Sequence, residues 1–280
     1  MKKNMEIKKS PKVIINITYC FKPEYMKQVQ ECLDTWIPLV EYPTIISVSN
    51  MSLDTEYCLV GNQLHCKCTD YYDLGSSDIN FSLKRWYFIK WAVETKQEFD
   101  YLFITSSDTF IHPHRFKNLV EEYYKDDSID FAGDVWPDIF GGQRDYSDEV
   151  RRFIEPNLYW NMEMQPWDNP DMPREHKQKS HAITAGGGSG YILSKRACKI
   201  ISDNFDILLH IASTSYLGNS EDVHIGDLLR DNNIFLYYDA RFNQSRGINI
   251  PYIEDSSFVA VQHYRDGDFK MILDKLGIRR

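Results

Sequence analysis

The order of apolar patterns in the first 50 residues places the strongest constraint on the fold of this chain. "KVIINITYCF" at 12–21 is rich in β-branched residues and predicts a strand, and "PTIISVSN" at 43–50 predicts a second strand. Apolar residues recur at helical spacing in the segment between them, so the order is strand, helix, strand. This order predicts two parallel strands that are joined by a right-handed helical crossover.

Later segments continue the pattern. A long helix is predicted at 78–97, with Asp78 as its cap, and the continuous apolar run "YLFIT" at 101–105 predicts a strand that is buried on both faces. The remaining patterns predict helices at 114–126, 195–205 and 220–233 and strands at 129–136 and 234–242. The segment 257–277 is predicted to begin as a strand and to end as a helix. A loop is predicted between the helices at 195–205 and 220–233. We therefore expect an α/β fold.

Length and composition indicate one compact domain. The chain has 280 residues, of which 42% are apolar, and it shows no repeat, low-complexity tract or flexible linker. We expect a disordered basic leader at 1–10 and a single domain at 11–280. Within the domain, 137–180 combines tryptophans, prolines and charges with little periodicity, which is typical of a functional loop rather than of scaffold.

Charge and cysteine spacing narrow the possible partners. The net charge is −9, so we expect no general nucleic-acid-binding surface. Cys66 and Cys68 are too close for the usual zinc-ligand spacing, and free thiols in a reducing compartment are expected instead. No apolar run predicts a signal peptide or a transmembrane helix. We expect a soluble, cytoplasmic protein.

Two candidate metal ligands lie at the ends of predicted strands. Asp108 follows the strand at 101–105, at the edge where ligands of open α/β sheets bind, and a carboxylate suits a hard cation. The alternative for Asp108 is a side chain that closes a turn. His263 ends a late strand, and imidazole together with carboxylate suits Mn²⁺ better than Mg²⁺. The alternative for His263 is a structural role.

Two further features are candidates for a ligand cleft and for catalysis. The bend "AGGGSG" at 185–190, predicted to lie just before a helix, permits close approach of the backbone to a ligand, or it serves only as a tight bend. It does not match a P-loop, because no lysine follows at the required place. Glu221 and Asp222 open a predicted helix, where the macrodipole favours acids. The functional interpretation is a general base that accepts a proton from a hydroxyl nucleophile.

Five motifs in a fixed order suggest a family. They are "DINFSLKRWYFIKWAVE", "FDYLFITSSDTFIHPHRF", "AGGGSGYILSKRA", "EDVHIGDLLRD" and "VAVQHYRDGDF". Together they resemble the fringe-like, β-1,3-galactosyltransferase-related glycosyltransferases, including the core 1 synthases, over roughly residues 11–272. The resemblance implies a GT-A fold, Rossmann-like, with a mixed, mainly parallel central sheet flanked by helices. It also implies an inverting transfer from a UDP-sugar donor to a hydroxyl of a glycan acceptor, with Mn²⁺ or another divalent cation.

The resemblance implies a role for each matching residue. Asp108 and His263 would bind the metal, and Asp222, with Glu221 beside it, would be the catalytic base. Because Asp222 opens a helix, we expect it to be ionised at neutral pH. The segment 137–180 would recognise the acceptor. The donor side would be lined by Asp78, Lys84, Ser106, Ser107, Gly187, Gly188, Gly190 and Tyr191.

The sequence departs from the family pattern at two points, which keep other hypotheses open. Ser106 and Ser107 stand where the family has acids, so we expect weaker affinity for metal or UDP. No membrane anchor is visible, which suggests either a microbial or viral relative, in the host cytoplasm if viral, or a chain that has been trimmed. One alternative is a catalytically weak or dead relative that binds nucleotide-sugar or glycan. Another is a nucleotide-sugar hydrolase, in which water replaces the acceptor.

Overall fold

The computed structural model describes residues 10–70, 80–126, 128–134, 159–161, 180–182, 184–214, 220–243, 258–262 and 269–279. In these ranges the helices are α1 (Pro23–Asp34), α2 (Asn80–Glu94), α3 (Pro113–Lys125), α4 (Lys195–Asp203), α5 (Phe205–Thr214), α6 (Glu221–Asp231) and α7 (Phe269–Lys275). The strands are β1 (Val13–Thr18), β2 (Thr44–Ser49), β3 (Tyr57–Val60), β4 (Gln63–Cys66), β5 (Tyr101–Ser106), β6 (Thr109–Ile111), β7 (Phe131–Gly133), β8 (Tyr159–Asn161), β9 (Ser180–Ala182), β10 (Tyr191–Ser194), β11 (Tyr237–Tyr238), β12 (Phe242–Asn243) and β13 (Ala260–Gln262).

The described strands form one large mixed sheet and two small ones. The large sheet has eight strands in the order β11-β7-β10-β5-β1-β2-β4-β3. Its centre is parallel, since β1 pairs in parallel with both β2 and β5. Strand β10 runs antiparallel between β5 and β7, and β3 is an antiparallel strand at the edge. The predicted mixed, mainly parallel sheet flanked by helices is confirmed.

Strand β5 is apolar from Leu102 to Ile104 because each face of the sheet is covered by helices. On β5, Leu102 and Ile104 enter a core that includes residues of α2, α4, α5 and α6. Phe103, between them, enters the opposite core, with residues of α1, α3 and α7. Burial on both faces, predicted from the run at 101–105, is thus confirmed.

Two local predictions around the glycine bend are wrong. The segment after 205 was expected to be a loop, but Phe205–Thr214 forms α5, with Leu208 fully buried in the core. The bend at 185–190 leads first into strand β10 and only then into α4. Local sequence did not reveal β10 because its four residues are fixed by pairing with β5 and β7, which are distant in sequence.

A small sheet of β12, β13 and β6 lies after the turn at 106–108. Strand β13 pairs antiparallel with β6, so that Gln262 faces Thr109 and Ala260 faces Ile111. Just beyond β6, the backbone N–H of His112 donates to the carbonyl of Val259 at 2.9 Å. The strand that precedes 263 in sequence therefore lies beside the strand that follows Asp108.

Two predictions on composition can be compared with the described residues. All six cysteines lie within the described ranges, and none of them forms a disulfide bond. In the same ranges, no helix has the length and apolar character needed to cross a membrane.

Candidate active site

The turn after β5, the glycine bend and the start of α6 meet at one edge of the large sheet. Parallel strand β5 ends at Ser106, which places the turn at the carboxyl edge. Strand β10 runs in the opposite direction, with Tyr191 beside Ile104, so its first residue lies at this same edge. The bend that precedes β10 therefore lies near the turn that follows β5, as expected for ligand sites of open α/β sheets.

The buried guanidinium of Arg85 joins these three segments. Arg85 lies on α2, and its side chain is 1% exposed. Nη1 forms an ion pair with Oε1 of Glu221. Nη2 donates to Oγ of Ser106 at 2.7 Å and to the carbonyl of Gly187 at 3.1 Å. One planar, charged group thus links the turn, the bend and the acid pair.

Gly187 connects this cluster to Asp222. The N–H of Gly187 donates to Oδ2 of Asp222 at 2.9 Å, and the N–H of Val223 donates to Oδ1 at 2.9 Å. A Cβ at position 187 would lie 2.4 Å from Nη1 of Arg85 and 2.5 Å from Oε1 of Glu221. Only glycine therefore allows the guanidinium and both carboxylates to approach this peptide so closely.

Burial makes Glu221 and Asp222 more basic than exposed acids. Burial raises the pKa of Glu221 to about 7, although the positive charge of Arg85 opposes the shift. Burial also raises the pKa of Asp222, against the N–H of Gly187 and the charge of Arg85. The sequence-based expectation for Asp222 considered only the helix terminus, whose effect is opposite in sign to that of burial. A raised pKa strengthens a carboxylate as a proton acceptor.

The two serines of the turn face different neighbours. Ser106 accepts from Arg85, whereas Oγ of Ser107 donates to Oε1 of Gln28 on α1 at 3.1 Å. The carbonyl of Ser107 accepts from the thiol of Cys32 at 3.3 Å. Ser106 therefore belongs to the acid-pair cluster, and Ser107 anchors the turn to α1.

Asp108 is half-buried at the end of the turn. Burial of Tyr25 raises the pKa of its hydroxyl, and the negative charge of Asp108 adds to this shift. The next residue, Thr109, donates through Oγ1 to the carbonyl of Gly188 at 2.7 Å, which ties the turn to the bend. The described parts of the chain contain no group of three or more side chains arranged to bind a metal ion.

Lys84 forms a second cluster, at the carboxyl ends of β1 and β2. Its Nζ donates to Oδ1 of Asp70 at 2.6 Å and to the carbonyl of Tyr19 at 2.7 Å. Ser49, the last residue of β2, donates to Oδ1 of Asp70 at 3.0 Å, and the N–H of Phe21 donates to Oδ2. The ammonium group is fully buried, and the aspartate is 22% exposed.

The last two donor-side candidates have packing roles. Gly190 has φ +87°, and a Cβ there would lie 2.5 Å from the ring of Phe103. Tyr191 is fully buried and packs edge-on against Phe131. Burial and the charge of Glu221 raise the pKa of the Tyr191 hydroxyl. Gly190 and Tyr191 thus support the site by packing.

Three sequence-based candidates lie outside the described residues: Asp78, His263 and most of the segment 137–180. Their assignments stay predictions. Of that segment, the described residues include only 159–161 and Ser180, which contribute to the hairpin of β8 and β9.

Sequence reasoning missed Arg85 as a site residue. Its signal was a pair of adjacent cations, Lys84 and Arg85, in a mainly apolar part of the helix, "LKRWYFIKW" at 83–91. A buried charge requires a charged or hydrogen-bonding partner. The partner, Glu221, is 136 residues away, so no local pattern identified it.

Comparisons with known proteins find similarity at the level of structure but not of sequence. No protein-family model matches the sequence, and no curated protein matches it. Among solved structures, the chain is similar to the crystal structure of a glycosyltransferase involved in the glycosylation of the major capsid of PBCV-1. The superposition covers 91% of this chain and 95% of that chain, at 11% sequence identity and a TM-score of 0.48.

Proposed function

We propose that this protein is a glycosyltransferase that moves a sugar from a UDP-sugar to a hydroxyl of a glycan acceptor, with inversion at the anomeric carbon. The observation that carries the proposal is the cluster in which Arg85 joins Ser106, Gly187 and Glu221. Three motifs of the proposed family, far apart in sequence, converge there on a buried acid pair. The family assignment itself is part of the proposal.

Asp222 would act as the base. The acceptor hydroxyl gives its proton to the carboxylate, and its oxygen forms the new bond to the anomeric carbon. The bond from that carbon to the donor phosphate breaks on the opposite face, and UDP leaves with the bonding electrons. No protein nucleophile is required, and the raised pKa of Asp222 makes its carboxylate a stronger proton acceptor.

Asp108 and His263 would hold a divalent cation, preferably Mn²⁺. A cation of this kind is commonly bound by one or two carboxylates together with substrate phosphates, so the single carboxylate of the turn is a suitable donor. Imidazole adds a nitrogen ligand that favours Mn²⁺. The cation would neutralise the charge that develops on the diphosphate leaving group.

The register of the small sheet supports the pairing of these two ligands. Gln262 pairs with Thr109. His263 follows Gln262 in the chain, and Asp108 precedes Thr109. The last described residue before His263 thus lies beside the first residue after Asp108.

Ser106 and the Lys84 cluster would lie on the donor side. Ser106 contributes a hydroxyl where the proposed family has an acid, and it is bonded to Arg85. Lys84 and Asp70 lie at the ends of the neighbouring strands β1 and β2, which is the edge where ligands of open α/β sheets bind. Because Ser106 adds no negative charge, metal affinity would be lower than with an acid.

Release of UDP is the direct test. Purified protein is incubated with a panel of UDP-sugars and glycan acceptors, with Mn²⁺ or with EDTA. We expect acceptor-dependent UDP release that EDTA abolishes and that Asp222→Asn reduces by about 10² to 10⁴-fold. Asp108→Asn should weaken Mn²⁺-dependent UDP binding. Product NMR should give the anomeric configuration opposite to that of the donor; retention would contradict the inverting mechanism.

A binding module without turnover is the second candidate. It is favoured by the hydrogen bonds of Asp222, since each of its carboxylate oxygens already accepts a backbone N–H. If no donor is turned over with any acceptor, while UDP-sugar binding is retained and is unaffected by Asp222→Asn, this candidate replaces the enzyme. UDP release that is equal with and without acceptor would instead indicate a hydrolase.

A further inference from the structure

We infer that Arg85 is a positioning residue, which holds the Asp222 carboxylate in place through Gly187 and sets the pH above which the acid pair accepts a proton. The inference rests on the proposed function and deepens it. Arg85 acts from inside the protein, since its side chain is 1% exposed and is paired with Glu221.

The positional part of the inference follows from a single residue, Gly187, and the two peptide groups that flank it. Arg85 donates to the carbonyl of Gly187 at 3.1 Å, and the N–H of the same residue donates to Asp222 at 2.9 Å. Because Gly187 contributes both its carbonyl and its N–H, the guanidinium limits the movement of the backbone that holds the carboxylate. The bond from Arg85 to Ser106 links the same brace to the turn of Asp108.

The electrostatic part follows from the charges around Glu221. Arg85 is the cation that faces it from α2, at ion-pair contact. Asp222 adds a negative charge from the same helix, and the Tyr191 hydroxyl faces the acids from β10. Among these groups Arg85 alone stabilises the ionised carboxylates, so its loss would make both acids bind protons at higher pH.

The experiment compares two variants of Arg85. Arg85→Gln keeps most of the side-chain volume and a hydrogen-bond donor but loses the positive charge. Arg85→Lys keeps the positive charge but loses the planar guanidinium. The surface variant Arg196→Met is the control, because Arg196 is 63% exposed and pairs with Asp130 across 3.4 Å. Values of kcat and KM for UDP-sugar are measured against pH. Carboxyl NMR of ¹³C-labelled Glu221, assigned with Glu221→Gln, follows its protonation without any substrate.

We expect Arg85→Gln to lower kcat at least about 10-fold, while KM stays within about twofold of the wild-type value. The acidic limb of the profile of kcat against pH should move up by about one pH unit. Arg85→Lys should keep the limb near that of the wild type while kcat stays reduced. Arg196→Met should change neither. The NMR midpoint of Glu221 should rise by about one pH unit in Arg85→Gln.

A fall in kcat without a shift of the limb or of the NMR midpoint would reduce Arg85 to a structural brace and overturn the inference. If Arg85→Gln does not fold, Arg85→Lys is the deciding variant. An acidic limb that moves although the positive charge is retained contradicts the inference. An unmoved acidic limb together with a lower kcat supports it. If the wild type transfers no sugar, the proposed function fails. The NMR midpoint then still tests the effect of Arg85 on the acids, and an unchanged midpoint would overturn it.

Discussion

His112 should make the stability of this protein depend on pH between about 7 and 4. Its ring Nδ1 accepts from the N–H of Arg115 at 3.5 Å and caps α3, and the ring is buried against Phe258. Burial lowers the pKa of His112 to about 4, from the ordinary value of 6.5, and the charge of Arg115 adds to this. The unfolded chain therefore binds a proton at a pH where the folded chain does not.

The sign and size follow from linkage. Above pH 6.5, His112 is neutral in both the folded and the unfolded chain, so it causes no loss of stability. As the pH falls below 6.5 the unfolded state gains protons first, so stability decreases until the folded pKa is reached. With values of 6.5 and about 4, the loss is about 2 kcal/mol at pH 5 and about 3 kcal/mol at pH 4.

The assay is urea unfolding of the wild type and of His112→Asn at pH 7.5 and pH 5. Asparagine is a good N-cap without a titrating group, so the variant should lose about 2 kcal/mol less than the wild type over this interval. Other titrating groups are common to both proteins and cancel in the difference. His114→Asn, at the exposed neighbouring position, is the control; because His114 is only a minor cause of the lowered pKa of His112, this variant should keep most of the wild-type dependence. A difference that stays constant within about 0.5 kcal/mol would refute the assignment of this loss to His112.

Three further outcomes are expected from urea unfolding. Gly190→Ala should lower the free energy of unfolding by at least about 2 kcal/mol, because φ is +87° and the ring of Phe103 occupies the space of a Cβ. Gly61→Ala should lower it less, because φ is +62° there but the space around a Cβ is open. Lys84→Met should lose about 2 kcal/mol by leaving Asp70 without its cation, whereas Lys90→Met, at a more exposed pair on the same helix, should lose at most about 1 kcal/mol. Glu221→Gln should remove a fall in stability as the pH rises from about 4.5 to 7, since the folded pKa of Glu221 is raised to about 7 and the folded state holds the proton longer; an unchanged pH profile would contradict that shift.

The sequence predicted the parts of the fold that depend on local pattern. The strand, helix, strand opening produced the parallel pair of β1 and β2, and the apolar run at 101–105 marked the strand that is buried on both faces. These signals are local because every residue of a central strand meets the same environment. The acids at 221 and 222 were likewise correctly placed at the start of a helix.

The missed parts depend on contacts between distant segments. The four residues of β10 have a strand conformation because two neighbours pair with them, and α5 is held by the burial of Leu208. The roles of Ser106 and Gly187 were predicted from the motifs, but their common contact with Arg85 was not. A buried ion pair is specified only when both partners are in place, and its two residues are separated by about half of the chain.

The separation of Arg85 from Glu221 also sets an order of assembly during protein synthesis. At about 5–20 residues per second, Glu221 is synthesised about 7–27 s after Arg85, from the 136 residues between them. During this interval the guanidinium has no counter-charge from α6, and water is its better environment. Helix α2 can therefore bury this part of its surface only when the carboxyl-terminal half arrives. A nascent chain that stops before α6 would leave α2 undocked at Arg85, where it is accessible to proteases and chaperones.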